Sequence, residues 1–220
     1  MNTRVMDSDD DKEDVVCTME DTFLNIPVAR QHSLYLCGPI LEPQNYTKWF
    51  HLLRHCSEND VIMLHINSQG GDASTAIQFM RAMMDCQATI IASVEGNCMS
   101  AATMIFLAAD LFQVSEHSMF MFHNYSGFSY GKGGEMFDSI THERRWSKGL
   151  LEGCYKDFLT PEEIGSMLDG KDIWMDADEA TARLIKRAEL REKQEEEKEE
   201  PAAKPARKAP AKRTTRRKGS

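Results

Sequence analysis

The stretch GNCMSAATMIFLAAD (residues 96–110) contains a junction between a strand and a helix, from which the fold class can be predicted. Just upstream, ATIIASVEG (88–96) is a short apolar run rich in isoleucine and valine, which is typical of a buried strand. Downstream, the alanine and leucine content predicts a buried helix. Ser100 lies at the turn between them. A serine there either caps the helix or acts as a nucleophile beside the free amides of the helix start.

The same order of strand, turn and helix recurs on both sides of this junction. Strands are predicted over 30–40, 60–72, 88–96 and 110–124, and helices over 42–56, 74–86, 100–110, 135–159, 160–168 and 176–190. Strands that alternate with helices predict βαβ crossovers and a largely parallel sheet. Glycine turns open two of the helices, so these turns are candidate positions for a functional site.

Composition limits the class of protein. A chain of 220 residues that is 41% hydrophobic is sufficient for one ordinary domain with a core. It has no signal-peptide pattern and no apolar run of about 18 residues, so we expect a soluble, cytoplasmic protein without membrane contact. Its six cysteines include no CxxC pair, and several lie in apolar runs. They therefore indicate reduced, buried thiols and give little support to a metal site.

Charge is distributed unevenly along the chain, whose net charge is −9. Residues 7–14 carry six acids and one lysine, whereas residues 201–220 carry eight bases and no acid. We therefore predict an acidic flexible segment over 1–20, one domain over 21–188, and a charged disordered tail over 189–220, acidic and then basic. The basic part of the tail either makes weak contacts with nucleic acid or is simply solvated.

Three further positions are candidates for chemistry. Gly70 and Gly71 end a strand before a helix, where a glycine pair either serves the turn or points backbone N–H groups at an anion. His123 closes the strand SMFMFHN and shares a face with Met119 and Met121. As a base it would need to reach Ser100 and to be oriented by a carboxylate.

A single acid, Asp172, is the best candidate for that carboxylate, because it precedes an apolar pair after a glycine-containing turn. Asp169, Asp176 and Asp178 are its rivals, and surface or capping roles suit them better. The chain has no GxxxxGK[ST] loop, so the sequence does not support nucleotide binding.

Four motifs in order resemble the ClpP family of serine peptidases. They are INSQGG (66–71), GNCMSAATMIFLAA (96–109), SMFMFH (118–123) and the late aspartate that precedes Glu179 and Ala180. The segment SGFSYGKGGEMFDSITHE (126–143) is similar to the family's handle, which joins two rings. The resemblance runs from about residue 30 to 180. It implies an α/β, ClpP/crotonase-like fold with repeated strand-turn-helix units and a protruding handle helix.

The resemblance also implies a function and a site. Ser100 would be the nucleophile, His123 the base and Asp172 the residue that orients it, with the N–H groups of Gly71 and Ala101 as oxyanion donors. The protein would be a serine endopeptidase without cofactors, assembled as a homo-oligomer of two stacked rings, usually of seven subunits each. A separate AAA+ Clp ATPase would unfold polypeptide substrates and feed them to it.

Departures from the family pattern leave alternatives open. Gln69 stands in place of a proline, Asn124-Tyr125 in place of Gln-Pro, and RLIK (183–186) in place of Gly-Leu-Val-Asp. Such divergence suggests a phage-encoded or specialised relative. One alternative is a phage prohead maturation protease that acts on scaffold or coat protein. Others are a non-catalytic subunit of a mixed ring and a crotonase-type enzyme that holds a thioester oxyanion.

Overall fold

The computed structural model describes residues 29–199, so the acidic segment 1–20 and the basic stretch 201–220 lie outside the described residues. The strands are β1 (Gln31–Cys37), β2 (Val61–Ser68), β3 (Thr89–Met99), β4 (Leu111–Val114), β5 (Met119–Phe122) and β6 (Ile173–Asp176). The helices are α1 (Thr47–His55), α2 (Ala73–Met84), α3 (Ala101–Leu107), α4 (Gly133–Tyr155), α5 (Pro161–Leu168) and α6 (Ala177–Glu199). A short 3₁₀ turn, Pro43–Tyr46, precedes α1.

The sheet is largely parallel, as the alternation of strands and helices predicts. Strands β1, β2, β3 and β5 lie side by side in that order and run in the same direction. Strand β4 also pairs with β3 in parallel, whereas β6 closes the edge antiparallel to β5. Because parallel strands end at the same edge, the turns after β2, β3 and β5 lie together.

The single strand predicted over 110–124 is wrong, because two strands occupy this region. Strand β4 pairs with the first half of β3 and β5 with the second half. Between them Ser118 N–H donates to the Ser115 carbonyl at 3.2 Å, and His117 adopts a φ of 65°. The polar run SEHS (115–118) forms this turn between two apolar runs, and the predicted strand spans it without a break.

The core is built by apolar side chains that alternate along the strands and by the inner faces of the helices. In β5 the side chains of Phe120 and Phe122 are fully buried, so the odd-numbered residues of this strand face the other way. Phe50 of α1 packs on Phe79 of α2 with ring centroids 4.7 Å apart. This packing fixes the frame from which the strand ends project.

Helix α4 has two distinct halves. Its C-terminal half is anchored through the buried residues Ser147, Leu151 and Tyr155. Its N-terminal half carries exposed apolar side chains, including Phe137 at 71% and Ile140 at 51% exposure. Large apolar side chains left in solvent along one helix indicate a surface meant for association. This half coincides with the segment predicted as a handle.

Helices α5 and α6 are joined by an ion pair. A capping box begins α5, since Glu163 N–H donates to Thr160 Oγ1 and the Glu163 carboxylate accepts from Thr160 N–H. The same carboxylate accepts two hydrogen bonds from Arg183 of α6, at 2.6 and 2.7 Å. The Arg183 guanidinium is the main reason that the pKa of Glu163 is lowered.

Helix α6 extends beyond the residues expected to be ordered. It continues to Glu199, although the sequence predicts a disordered tail from residue 189. Glutamate, lysine and arginine are good helix formers, and a charged run can therefore prolong a helix that packing has already started. No helix within residues 29–199 is long and apolar enough to cross a membrane.

Replacing Glu163 with glutamine is expected to lower the free energy of unfolding by about 1–2 kcal/mol at pH 7. Glutamine keeps the capping box but removes the charge that Arg183 binds. A carboxyl whose folded pKa is lowered stabilises the fold above its unfolded pKa, and this contribution disappears as pH falls through the folded pKa. The difference between wild type and variant should therefore shrink below about pH 4.

Denaturant titrations at pH 7 and in acid would measure this effect, with exposed Glu162→Gln as the control in the same helical turn. An equal loss in the control, or a loss that does not change with pH, would contradict the proposed role of the ion pair.

Candidate active site

The candidate residues gather where the parallel strands end. Gly70 and Gly71 follow β2, Ser100 follows β3 and His123 follows β5. Strand β5 pairs with the final residues of β3, from Asn97 to Met99, so the two chains leave the sheet next to each other. The topology thus brings together residues that are 23 positions or more apart in sequence.

Ser100 occupies a strained turn between β3 and α3. Its backbone adopts φ 54° and ψ −129°, a conformation that residues other than glycine rarely adopt. Its N–H donates to the Met121 carbonyl at 2.8 Å, which ties the turn to β5. The Ser100 side chain makes no capping hydrogen bond to α3. A serine on such a strand-to-helix turn projects its hydroxyl away from the backbone, as in a nucleophile elbow.

The Ser100 hydroxyl instead meets the predicted base. Ser100 Oγ and His123 Nε2 lie 2.6 Å apart, within hydrogen-bonding distance, and both residues are half-buried. His123 directly follows β5, where burial of Phe120 and Phe122 on one face leaves the histidine on the other. The two residues that the sequence pattern selects are therefore placed in contact.

Thr103 and Tyr155, which the sequence does not mark as site residues, support the Ser100 turn through hydrogen bonds. Thr103 Oγ1 lies 2.6 Å from the Ser100 carbonyl and 2.7 Å from the buried Tyr155 hydroxyl. This chain of bonds connects the turn to the anchored half of α4. A threonine three residues after the serine is a weak signal, and the tyrosine lies 52 positions further along the chain.

The glycine turn after β2 packs directly against the Ser100 turn. A Cβ added to Gly70 would lie 2.6 Å from Ser100 Cβ and 2.7 Å from the Met99 carbonyl oxygen, and Gly70 has a φ of +92°. Gly71 forms an isolated parallel bridge with Ile40, in which Ile40 and Asp72 are the donors. The Gly71 N–H takes no part in that bridge. The N–H of Ala101 is in the first turn of α3, where helical N–H groups lack helical acceptors.

Gly70→Ala is expected to lower the free energy of unfolding by about 2–4 kcal/mol and peptidase activity by about 100-fold. The added methyl group must displace the Ser100 turn, because the atoms that it meets belong to the backbone or to Cβ. Melting curves and peptide hydrolysis would measure the two effects.

Gly165→Ala provides the matched control for the glycine turn. A Cβ at this position in α5 meets nothing within 4 Å, so alanine should stabilise the chain by up to about 1 kcal/mol without changing activity. If Gly70→Ala behaved like Gly165→Ala, the close packing of the two turns would not matter for function.

Asp172 directly precedes β6 and is exposed. Strand β6 pairs antiparallel with β5, and the last pair is Phe122 with Ile173. Asp172 and His123 each lie one residue beyond this last pair, and no hydrogen bond or ion pair joins their side chains in the structure, whereas Ser100 and His123 are in contact. The rivals have other roles, since Asp176 Oδ1 accepts from Glu179 N–H at the start of α6 and Asp169 ends α5.

A cleft of about 80 Å³ lies beside the hydrogen-bonded pair. Gly71, Ala101 and His123 line it on the sheet side, and Trp146 and Leu150 line it from α4. Cys98, two residues before Ser100, is fully buried, and burial raises its pKa, so it is not a competing nucleophile. The cleft therefore offers a hydroxyl nucleophile next to a largely apolar wall.

A serine on a strained turn with a histidine at 2.6 Å is the arrangement of nucleophile and base in serine hydrolases. Residues 28–185 match the family model described as Clp protease, and the chain belongs to that family. Membership implies a serine peptidase and, in general terms, ring-shaped oligomers that work with a Clp ATPase.

Comparison with solved structures gives the same fold. The structure of a ClpP1 point mutant from Listeria monocytogenes is similar with a TM-score of 0.56 and 24% sequence identity. The similarity covers 69% of this chain and 86% of that chain. No curated protein matches the chain in sequence. The predicted resemblance to the ClpP family and the predicted fold class are thus confirmed.

Proposed function

We propose that the protein is a serine endopeptidase in which Ser100 is the nucleophile and His123 the general base. The observation that carries this proposal is the 2.6 Å contact between Ser100 Oγ and His123 Nε2. His123 takes the hydroxyl proton as Ser100 Oγ attacks a peptide carbonyl, and then gives that proton to the leaving amine. Water hydrolyses the resulting acyl-enzyme by the same route.

Backbone N–H groups of Gly71 and Ala101 are proposed to bind the oxyanion that forms during this attack. Both residues line the cleft that contains Ser100, which supports the assignment. An oxyanion donor of this kind contributes about 3–4 kcal/mol to transition-state stabilisation. Because these donors belong to the backbone, their position depends on the Gly70 contact with the Ser100 turn.

Asp172 is proposed as the carboxylate that orients His123. Opposite residues of an antiparallel pair have Cβ atoms about 4.5–5.5 Å apart, and the proposal is supported by the pairing of Phe122 with Ile173, the residues just before His123 and just after Asp172. A carboxylate there can accept from the second ring nitrogen and hold the tautomer that the reaction needs. Catalytic hydrogen bonds often tighten only when substrate is bound.

Assembly into two stacked rings is proposed to occur through the exposed half of α4. Phe137 and Ile140 lie on this half, and Phe128 and Tyr130 lie in the loop before it, all of them exposed. Burial of such side chains between two copies would give roughly 25 cal/mol per Å² of apolar area. Unfolded polypeptide would reach the enclosed sites with the help of an AAA+ Clp ATPase.

The charged ends of the chain are proposed to modulate access and location. Six acids over 7–14 would repel acidic substrates if this segment lines an entry pore, and the basic tail would make weak contacts with nucleic acid. The five cysteines of the described residues are free thiols, which suits a reducing, cytoplasmic environment. A phage origin would fit the departures from the family pattern.

Labelling with a fluorophosphonate probe tests the proposed nucleophile. We expect one adduct per subunit on the wild-type protein and none on Ser100→Ala, read by intact mass. His123→Ala should label far more slowly, because the hydroxyl is no longer activated. Absence of labelling on a folded wild-type oligomer would refute the endopeptidase. It would favour the non-catalytic ring subunit, or a crotonase-type enzyme that does not use Ser100 and His123 together.

A further inference from the structure

A second cluster of reactive side chains lies at the opposite edge of the sheet. His32 is the second residue of β1, Cys56 directly follows α1, and Asp60 directly precedes β2. Since β1, β2 and β3 are parallel, their amino ends share one edge, whereas Ser100 follows the carboxyl end of β3. The 11 residues of β3, at roughly 3.3 Å each, separate the two edges by roughly 30–35 Å.

The three side chains offer one ligand atom each within a small volume. An imidazole nitrogen of His32, the Cys56 sulfur and an Asp60 carboxylate oxygen all lie within 4.8 Å of one another. In a tetrahedral zinc site, ligand atoms about 2.0–2.3 Å from the metal are about 3.5 Å apart. Side-chain rotations that move these atoms by about 1 Å would therefore bring them to coordinating distance. Cys56 is buried and the other two are half-buried, so the cluster is partly shielded from solvent.

Local hydrogen bonds hold this cluster in place. Asp60 Oδ1 accepts from Arg30 N–H at 3.1 Å, and Asp60 Oδ2 accepts from Ser57 N–H at 3.0 Å. The Cys56 N–H donates to the Leu52 carbonyl at the C-terminal end of α1, where the helix dipole favours a cation. The Asp60 carboxylate is thus oriented by backbone N–H groups, as outer partners orient ligands in metal sites.

The fourth ligand of a zinc ion at this cluster can come from the next crossover or from water. Cys86 lies after α2 and before β3, at the same edge of the sheet, and is half-buried. It shares this edge with the three ligands, although its sulfur is not among the atoms that lie within 4.8 Å of one another, so either a movement of Cys86 or a water molecule would complete four-fold coordination.

We propose that His32, Cys56 and Asp60 bind one zinc ion, with Cys86 or water as the fourth ligand. Nitrogen and sulfur ligands select zinc over magnesium or calcium, which prefer oxygen ligands alone. Binding displaces the thiol proton of Cys56, since the thiolate is the ligand form. The ion joins the first strand, the end of α1 and the start of β2. Its distance from Ser100 makes its role structural.

Zinc content of the full-length protein tests this proposal directly. The protein is first treated with chelator, then given zinc sulfate and desalted. We then expect elemental mass spectrometry to find about one zinc ion per wild-type chain. Cys56→Ser and His32→Gln should each lose affinity by more than the roughly 10–100-fold that loss of an outer partner costs. Cys37→Ser removes an exposed thiol outside the cluster and should retain wild-type zinc.

Two further measurements keep the result decisive if Cys56→Ser folds poorly. His32 is only half-buried, so His32→Gln should fold and yet show no rise in melting temperature with zinc, whereas the wild-type melting temperature should rise. Cobalt bound to the wild-type protein should give a thiolate charge-transfer band, a readout that does not need the Cys56→Ser variant. Equal zinc retention by His32→Gln and wild type, or no zinc on wild type, would overturn the proposal.

Discussion

Ser100→Ala is expected to lower the turnover of a fluorogenic peptide by about 10⁴–10⁶-fold, and His123→Ala is expected to lower it by a similar factor. Each variant removes one partner of the 2.6 Å contact, and the remaining partner cannot carry out the reaction alone. What is left is the stabilisation by the oxyanion donors and by substrate binding. Steady-state rates over a range of enzyme concentrations would measure the loss.

The double variant makes this prediction sharper. Because nucleophile and base act as one unit, Ser100→Ala combined with His123→Ala should be no slower than either single variant. His51→Ala, an exposed histidine on α1, is the control and should keep wild-type activity. If the fold-decreases in turnover of the two single variants multiplied in the double variant, the two residues would act separately, and the observed contact would not be the catalytic one.

Asp172→Asn is expected to lower kcat by about 10³–10⁴-fold with little change in KM or melting temperature. Asparagine keeps the shape of the side chain but favours the wrong tautomer of His123. Since Asp172 is exposed and makes no described contact in the fold's interior, a structural role would not produce such a loss. Kinetics on assembled rings, together with melting curves, would separate kcat, KM and stability.

The rival aspartates serve as controls for that experiment. Asp169→Asn at the end of α5 and Asp178→Asn in the first turn of α6 should change kcat less than about tenfold. Asp176→Asn should act mainly on stability, because Asp176 caps α6. A large loss of kcat in Asp169→Asn with none in Asp172→Asn would move the orienting role away from the residue predicted here.

Much of the fold can be predicted because its core elements have strong periodicity. The junction at residues 96–110 combines a β-branched run with an alanine-rich run, and the structure places β3 and α3 there. Strand β6 is absent from the predicted elements, since its four residues carry no repeating pattern and its partner β5 is more than 50 positions away. Long-range pairing of short strands is determined by tertiary contacts.

The candidate site is predictable to the extent that local motifs define it. Ser100 and His123 are each marked by a strand end, and the parallel sheet then brings them together. The strain at Ser100 and the support from Thr103 and Tyr155 are not predictable, because backbone dihedral angles and contacts across 52 positions leave no spacing signal.

The cluster of His32, Cys56 and Asp60 at the other edge of the sheet is also not predictable from the sequence. Without a CxxC pair, the cysteines weigh against a metal site in the sequence. The fold nevertheless gathers His32, Cys56 and Asp60 from three separate segments, each beside a strand or helix end. Ligands that are assembled by topology have no fixed spacing, so only the three-dimensional arrangement reveals them.

The backbone conformation of Ser100 lowers the stability of the fold at the position of the proposed nucleophile. A residue other than glycine at φ 54° and ψ −129° costs about 1–3 kcal/mol, and glycine at this position would release most of that strain. Ser100→Gly should therefore melt at a higher temperature than Ser100→Ala, although neither hydrolyses peptides. Stability alone would thus favour glycine at position 100, which gives a chain that cannot hydrolyse peptides. The strained serine therefore lowers stability while presenting the hydroxyl that the proposed reaction needs.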